Sequence, residues 1–183
     1  TLLTDPHSVA WLLNIRGSDV DHTPLPLVRA IVDTKGTATV YVEKSRVDSD
    51  LQRSFGRGVK LENPDRFTNH LIELAGSKSS VLIDAGQCPD IIRTIFDKNK
   101  GTLVEGQDLC VLPRARKNRI EQQGARTAQL RDGAALSNFL HWLNDAAAKG
   151  SLTEKAAEQE LLKFRIATGK LKDVSFGTIA ASG

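Results

Sequence analysis

Histidine, cysteine, carboxylate and guanidinium groups are where a sequence can hold chemistry, and this chain spaces most of them widely. Its four histidines are His7, His22, His70 and His141. His70 and Glu73 stand at i, i+3 in a segment with helical periodicity, so both can reach one metal ion. A solvated helix face is the commoner use of that spacing. His7 and His22 flank an apolar run and a Pro-containing turn, where surface loops are expected. His141 adjoins Trp142 on an apolar helix face and is expected to pack at a domain boundary. Cys88 and Cys110 lack a CxxC partner and read as two reduced thiols of a cytoplasmic protein. Arg114, Arg116, Lys117 and Arg119 form a basic run. It has Glu121 and Asp132 nearby and no interleaved aromatics, which favours a solvated linker or a helix start held by salt bridges over a nucleic-acid face. The sharpest pair is Asn14 and Arg16. They follow an apolar run that reads as a buried strand, and polar groups there must find a partner, because burying them unpaired costs several kcal/mol. They are candidates to lie near a substrate or to brace a domain interface.

Catalytic and nucleotide signatures are few. Gly56-Arg57-Gly58 begins like a dinucleotide fingerprint, but Leu61 stands where the third glycine is needed. No P-loop, GxSxG elbow or HExxH pair occurs.

The elements that would position these groups alternate between strand and helix as far as residue 111. Trp11 to Ile15 reads as a strand ended by Gly17. Leu27–Val32 and Ala38–Glu43 form a hairpin around Asp33-Thr34-Lys35-Gly36. A short helix over 48–55 leads to a strand over 59–61. Asn63-Pro64-Asp65 starts a helix with Phe67, Leu71 and Leu74 on one face. A strand at 80–83, a helix opened by Pro89 and a strand at 102–104 follow. This predicts an α/β fold, a mixed β-sheet flanked by helices. Beyond Leu112-Pro113 the pattern becomes helical. One long helix spans 115–149, with Leu136, Phe139, Leu140 and Leu143 in line and Gly124 and Gly133 inside it. Ser151 and Glu154 suggest a capping box for a second helix, which ends near Thr168. Val174–Ile179 reads as a strand whose neighbours lie elsewhere.

Composition sets the outer bounds. The chain has 183 residues, 40% of them apolar, and a net charge of +3. A chain of this size can bury roughly 70% of its unfolded surface. Disorder, a collagen-like rod and a disulfide-held miniature are excluded. No run of about 18 apolar residues is available for a membrane span, and so mild a charge supports neither nucleic acid nor an anionic membrane as partner. A reading as an independent nucleic-acid binder would rest only on a pI near 8.9. The chain contains no Met, which leads us to expect a piece of a longer polypeptide.

Several segments carry a family resemblance. Asp5-Pro6-His7-Ser8-Val9-Ala10-Trp11-Leu12-Leu13-Asn14-Ile15-Arg16-Gly17-Ser18-Asp19-Val20 resembles the opening of the middle domain of three-domain Xaa-Pro aminopeptidases. Lys117-Asn118, Glu121, Gly124, Arg126, Arg131-Asp132-Gly133-Ala134-Ala135-Leu136 and Phe139-Leu140-His141-Trp142-Leu143 resemble the first helix of that family's catalytic domain. Leu152-Thr153-Glu154, Phe164-Arg165 and Ser175-Phe176-Gly177-Thr178-Ile179 continue it in order.

The resemblance implies a creatinase N-terminal-like accessory domain at 1–112. It implies that 113–183 is the truncated beginning of a "pita-bread" catalytic domain, a helical hairpin followed by its first strand. Family members are metallopeptidases that remove an N-terminal residue preceding proline. They use two divalent metals, typically manganese, held by two Asp, one His and two Glu. Such oxygen and imidazole ligands suit Mn²⁺, and a paired site can hold a bridging hydroxide. By the resemblance all five ligands lie C-terminal to Ser-Phe-x-Thr-Ile, so this chain is expected to hold no metal and to be inactive alone. Its partners would be the rest of its polypeptide and a peptide with proline second, with a homodimer left open. Gln129 stands where the family often has an active-site His, and Gly177 where it usually has Asp. Gln can donate a hydrogen bond but cannot shuttle a proton at neutral pH. Asn14, Arg16 and Gln129 are therefore the substrate-proximal candidates. The rival reading is a non-catalytic protein- or peptide-binding module on the same scaffold, as in histone-chaperone relatives.

Overall fold

A computed structural model describes residues 1–181. The chain divides into two compact units, Thr1–Arg116 and Lys117–Gly183.

The first unit is mixed α/β. Its four-stranded sheet runs in the order β1 (Leu2–Leu3), β2 (Arg29–Val32), β3 (Ala38–Tyr41), β4 (Val59–Glu62). β1–β2 and β2–β3 pair antiparallel, and β3–β4 pair parallel. The expected hairpin forms. The Asp33 carboxylate accepts the backbone N–H of Lys35 and Thr37 at 2.8 Å each, and Gly36 takes φ 81°, a left-handed conformation that costs glycine nothing. Two further strands, β5 (Ser80–Ile83) and β6 (Thr102–Glu105), pair in parallel. The parallel pairs are joined through helices: α2 (Ser49–Ser54) before β4, and α4 (Asp90–Lys98) between β5 and β6. Helix α3 (Arg66–Gly76) precedes β5.

Side-chain alternation sends the sheet's two faces into two cores. Leu2, Ile31 and Tyr41 join Leu71 and Ala75 of α3 and Ile92 and Phe96 of α4. Leu3, Ala30 and Val40 join Val9 and Ala10 of helix α1 (Pro6–Leu13), together with Ile15, Leu25 and Cys110. Each fully buried aliphatic or aromatic side chain contributes roughly 1.5–3 kcal/mol. The buried Tyr41 ring meets Phe67 edge-on at 4.9 Å, and its hydroxyl hydrogen-bonds His70 Nδ1. Burial pushes the Tyr41 phenol up to about 12.

The expected strand over 11–15 is instead the second half of α1. Asp5 caps the helix by accepting the His7 N–H at 2.9 Å, and Pro6 occupies its first turn, where no N–H is needed. Leu12 is 41% exposed between partly buried Trp11 and Leu13, as a one-sided helix requires. The apolar run was too short for its period to separate the two structures.

In the second unit, α6 (Arg119–Ala147) and α7 (Glu154–Ala167) pack as a hairpin. Ala135 and Phe139 are buried, and Phe139 stacks on Trp142 at 5.9 Å. Helix α6 starts at Arg119, later than expected, because α5 (Val111–Ala115) takes the preceding turn. The capping box belongs to α6: Asn118 accepts the Glu121 N–H at 2.9 Å and Glu121 accepts the Asn118 N–H at 2.8 Å. Ser151 caps no helix among the described residues. The α7 cap is Thr153, which accepts the Ala156 N–H at 3.1 Å. Residues 174–179 form no strand. A strand needs a neighbour for its backbone groups, and none pairs with this segment among the described residues. No helix is long and apolar enough to cross a membrane among the described residues.

Candidate functional site

The C-terminal end of α1 builds the corner that carries two of the candidates. Asn14 closes the helix in the left-handed region, φ 51° and ψ 43°, with its N–H on the carbonyls of Ala10 and Trp11. Asn tolerates that conformation better than most residues. Ile15 then plunges into the core at 8% exposure, its N–H on the Ala10 carbonyl at 3.0 Å. An inward Ile15 leaves both Asn14 and Arg16 exposed. They therefore flank a helix stop, and neither is buried as a polar pair ending a strand would be. The Asn14 side-chain amide makes no hydrogen bond among the described residues. The Arg16 guanidinium donates once, to the Ile15 carbonyl at 2.8 Å.

The loop after Arg16 is tightly built. A Cβ on Gly17 would lie 2.7 Å from the Pro26 backbone, so only glycine lets the two passes meet. Asp19 binds the returning strand, its carboxylate accepting the Leu27 N–H at 2.8 Å and pairing with Arg46. The Leu27 N–H, with the Arg46 guanidinium, holds the Asp19 carboxyl below its usual range. Two hollows border this corner. One, about 220 Å³, lies among His7, Trp11, Arg16, Pro24 and Arg114. The other, about 360 Å³, lies between the loop, the sheet and α2.

Next to it is a cluster that the sequence reading did not foresee. Asp5 accepts from the His7 N–H and meets the His7 ring at 2.9 Å, and Arg114 donates to it at 3.0 Å across 109 residues of chain. Partial burial pushes the Asp5 carboxyl up, but the His7 hydrogen bonds and the Arg114 guanidinium outweigh it and hold the group below its usual range. The Asp5-Pro6 helix start was the available signal. Arg114 is thus tied to α1, in keeping with an ion-paired reading of the basic run.

The remaining candidates separate. His70 is committed to Tyr41, and Glu73 lies 3.7 Å from Arg66. No group of three or more His, Cys, Asp and Glu residues is placed to hold a metal among the described residues. Cys88 and Cys110 are both free thiols. His7, His22 and His141 are exposed. Gln129 is exposed on α6 in the second unit. In that unit Arg165 forks onto Asp132, with Nε and Nη2 donating at 2.8 and 3.1 Å. This bidentate pair joins α6 to α7.

Residues 1–121 match the family model of the Creatinase/Prolidase N-terminal domain. Over 96% of its length the chain is 29% identical to a probable Xaa-Pro aminopeptidase P of Coprinopsis cinerea, and 33% identical to one of Chaetomium globosum. It is 28% identical to aminopeptidase P2 of Arabidopsis thaliana. It spans about 30% of the length of these relatives. Among solved structures, the X-prolyl aminopeptidase of Caenorhabditis elegans, described as a cytosolic enzyme with a di-nuclear active site, superposes with a TM-score of 0.87 at 27% identity. That match covers 98% of this chain and 30% of the other. On these matches and the mixed sheet described above, the chain belongs to the Creatinase/Prolidase N-terminal domain family.

Proposed function

We propose that this chain is part of a metal-dependent Xaa-Pro aminopeptidase. In this reading residues 1–112 are the accessory domain and 113–183 open the pita-bread catalytic domain. The observation that carries it is collinearity: 96% of the chain aligns with about 30% of relatives named Xaa-Pro aminopeptidase P. The substrate is a peptide with proline second. Two divalent metals, manganese by their oxygen and imidazole ligands, belong to the remainder of the polypeptide, and the chain alone is inactive. Asn14, Arg16 and Gln129 are substrate-proximal: three exposed polar groups whose side chains can donate hydrogen bonds.

The test compares the complete polypeptide with the 183-residue chain, each given Mn²⁺ and paired Xaa-Pro and Xaa-Ala peptides. Hydrolysis of the Xaa-Pro peptide by the complete polypeptide only is expected. Turnover by the purified 183-residue chain, or none by the complete polypeptide, overturns the reading. In the complete enzyme, Arg16→Ala is expected to raise KM about tenfold, the effect of losing one hydrogen bond to a charged group.

A further inference from the structure

The larger hollow beside Arg16 has properties that the peptidase reading does not use. Its walls are Val40 and Val42 of the sheet side, Val47, Leu51 and Phe55 from the α2 segment, and Leu61 of β4. Val40 is buried, whereas the other five are only partly so. Elsewhere the same core closes tightly, with Val9 and Ala30 at 0% exposure. Well-packed interiors leave few voids larger than water, so five apolar side chains short of cover mark a concavity. Its volume is about 360 Å³. An apolar cavity of about 150 Å³ suffices to bind benzene, so there is room for a phenyl ring and a short chain.

The rim is polar and cationic. Arg16, Ser18 and Arg46 are the exposed members of the lining. Arg46 is neutralised by Asp19, which the Leu27 N–H holds in place. Arg16 forms no ion pair among the described residues, and its single hydrogen bond to Ile15 leaves further N–H donors of the guanidinium free. The rim therefore offers one uncompensated positive charge above an apolar floor. A monoanion matches that charge, and a planar carboxylate matches the guanidinium fork.

We propose that this hollow binds a small monocarboxylate with an apolar body, a phenylalkyl or branched acyl acid, whose carboxylate sits on Arg16. The site lies wholly within the first unit, and its test does not depend on peptidase activity. Arg16 also borders the smaller hollow, so a bound acid would occupy the guanidinium that the peptidase reading gives to substrate.

The probe is 3-phenylpropionate, titrated into the ¹⁵N-labelled 183-residue chain and followed by amide shifts at Val42, Val47 and Leu51, with 3-phenylpropan-1-ol as the uncharged control. Saturable shifts are expected with the acid, and affinity about tenfold lower with the alcohol. Arg16→Gln, at an exposed position, is expected to weaken the acid about tenfold and leave the alcohol unchanged. Val47→Phe, which fills the hollow, abolishes both. Absence of saturable shifts in the folded chain overturns the proposal. So does equal affinity for acid and alcohol, or an acid affinity unaltered by Arg16→Gln. Binding to the 183-residue chain that vanishes in the complete polypeptide also overturns it, since another segment would then own the hollow.

Discussion

The Asp5–Arg114 contact can be taken apart residue by residue. Asp5 does two jobs: its carboxylate caps α1 through the His7 N–H, and it pairs with Arg114 from α5. An N-cap carboxylate replaced by Ala costs about 1 kcal/mol. The side chains of Asp5 and Arg114 are 12% and 29% exposed, so the pair is neither dry nor fully screened. A hydrogen bond to a charged group is worth about 1.5–3 kcal/mol, and partial solvation brings it toward about 1 kcal/mol. Asp5→Ala should therefore cost about 2 kcal/mol and Asp5→Asn about 1 kcal/mol, because Asn still caps. Arg114→Ala should cost about 1 kcal/mol less in an Asp5→Ala background than in the parent chain, a coupling of about 1 kcal/mol. The chain has two tryptophans, Trp11 and Trp142. In a Trp142→Phe background, urea unfolding followed by Trp11 fluorescence reads the first unit. The Asp5 carboxyl ionises more readily in the folded chain, so its contribution is complete above the unfolded-state value. It disappears as pH falls below about 4 through the lower folded value. An additive cycle, or Asp5→Asn as damaging as Asp5→Ala, refutes the division into cap and ion pair.

A Cβ on Gly101 would sit 2.7 Å from both the Ala75 Cα and the Phe96 ring, so Gly101→Ala should destabilise the first unit by about 1–3 kcal/mol in the same urea assay. A Cβ on Gly133 would meet nothing within 4 Å, and Gly133→Ala should stabilise α6 by about 1 kcal/mol, read as a rise in the thermal midpoint of the second unit. Burial, reinforced by the Asp108 carboxylate, pushes the Cys110 thiol up to about 11. Alkylation by iodoacetamide at pH 8 should thus be at least about tenfold slower at Cys110 in the folded chain than in urea, measured by mass spectrometry. Equal rates would show that the site opens freely.

Elements with a strong local signature were legible in the sequence. The Asp33–Gly36 hairpin, the Asn63-Pro64 helix start and the strand–helix–strand run from Ser80 to Glu105 all form close to where turn chemistry and periodicity place them. The helical hairpin was legible because α6 and α7 are long enough for a 3.6-residue period to accumulate. α1 was not, since its apolar run is brief and the Asp5-Pro6 start was the weaker signal. β1 escaped notice because two residues carry no period. Its strand exists only through pairing of Leu2 with Ile31 and Leu3 with Ala30.

Asn14 and Arg16 were identifiable as odd polar residues after an apolar run, but their exposure was not. It depends on Ile15 turning inward, a fact of core packing. The Asp5–Arg114 and Asp132–Arg165 pairs, and the hollow above Leu51 and Phe55, join residues 33 to 109 positions apart or lie between separate elements. The sequence by itself determined the local elements and the α/β class. Only the tertiary structure decided which charges meet and where the core is left open, because those outcomes depend on how distant segments pack, and short-range propensity does not encode that distance.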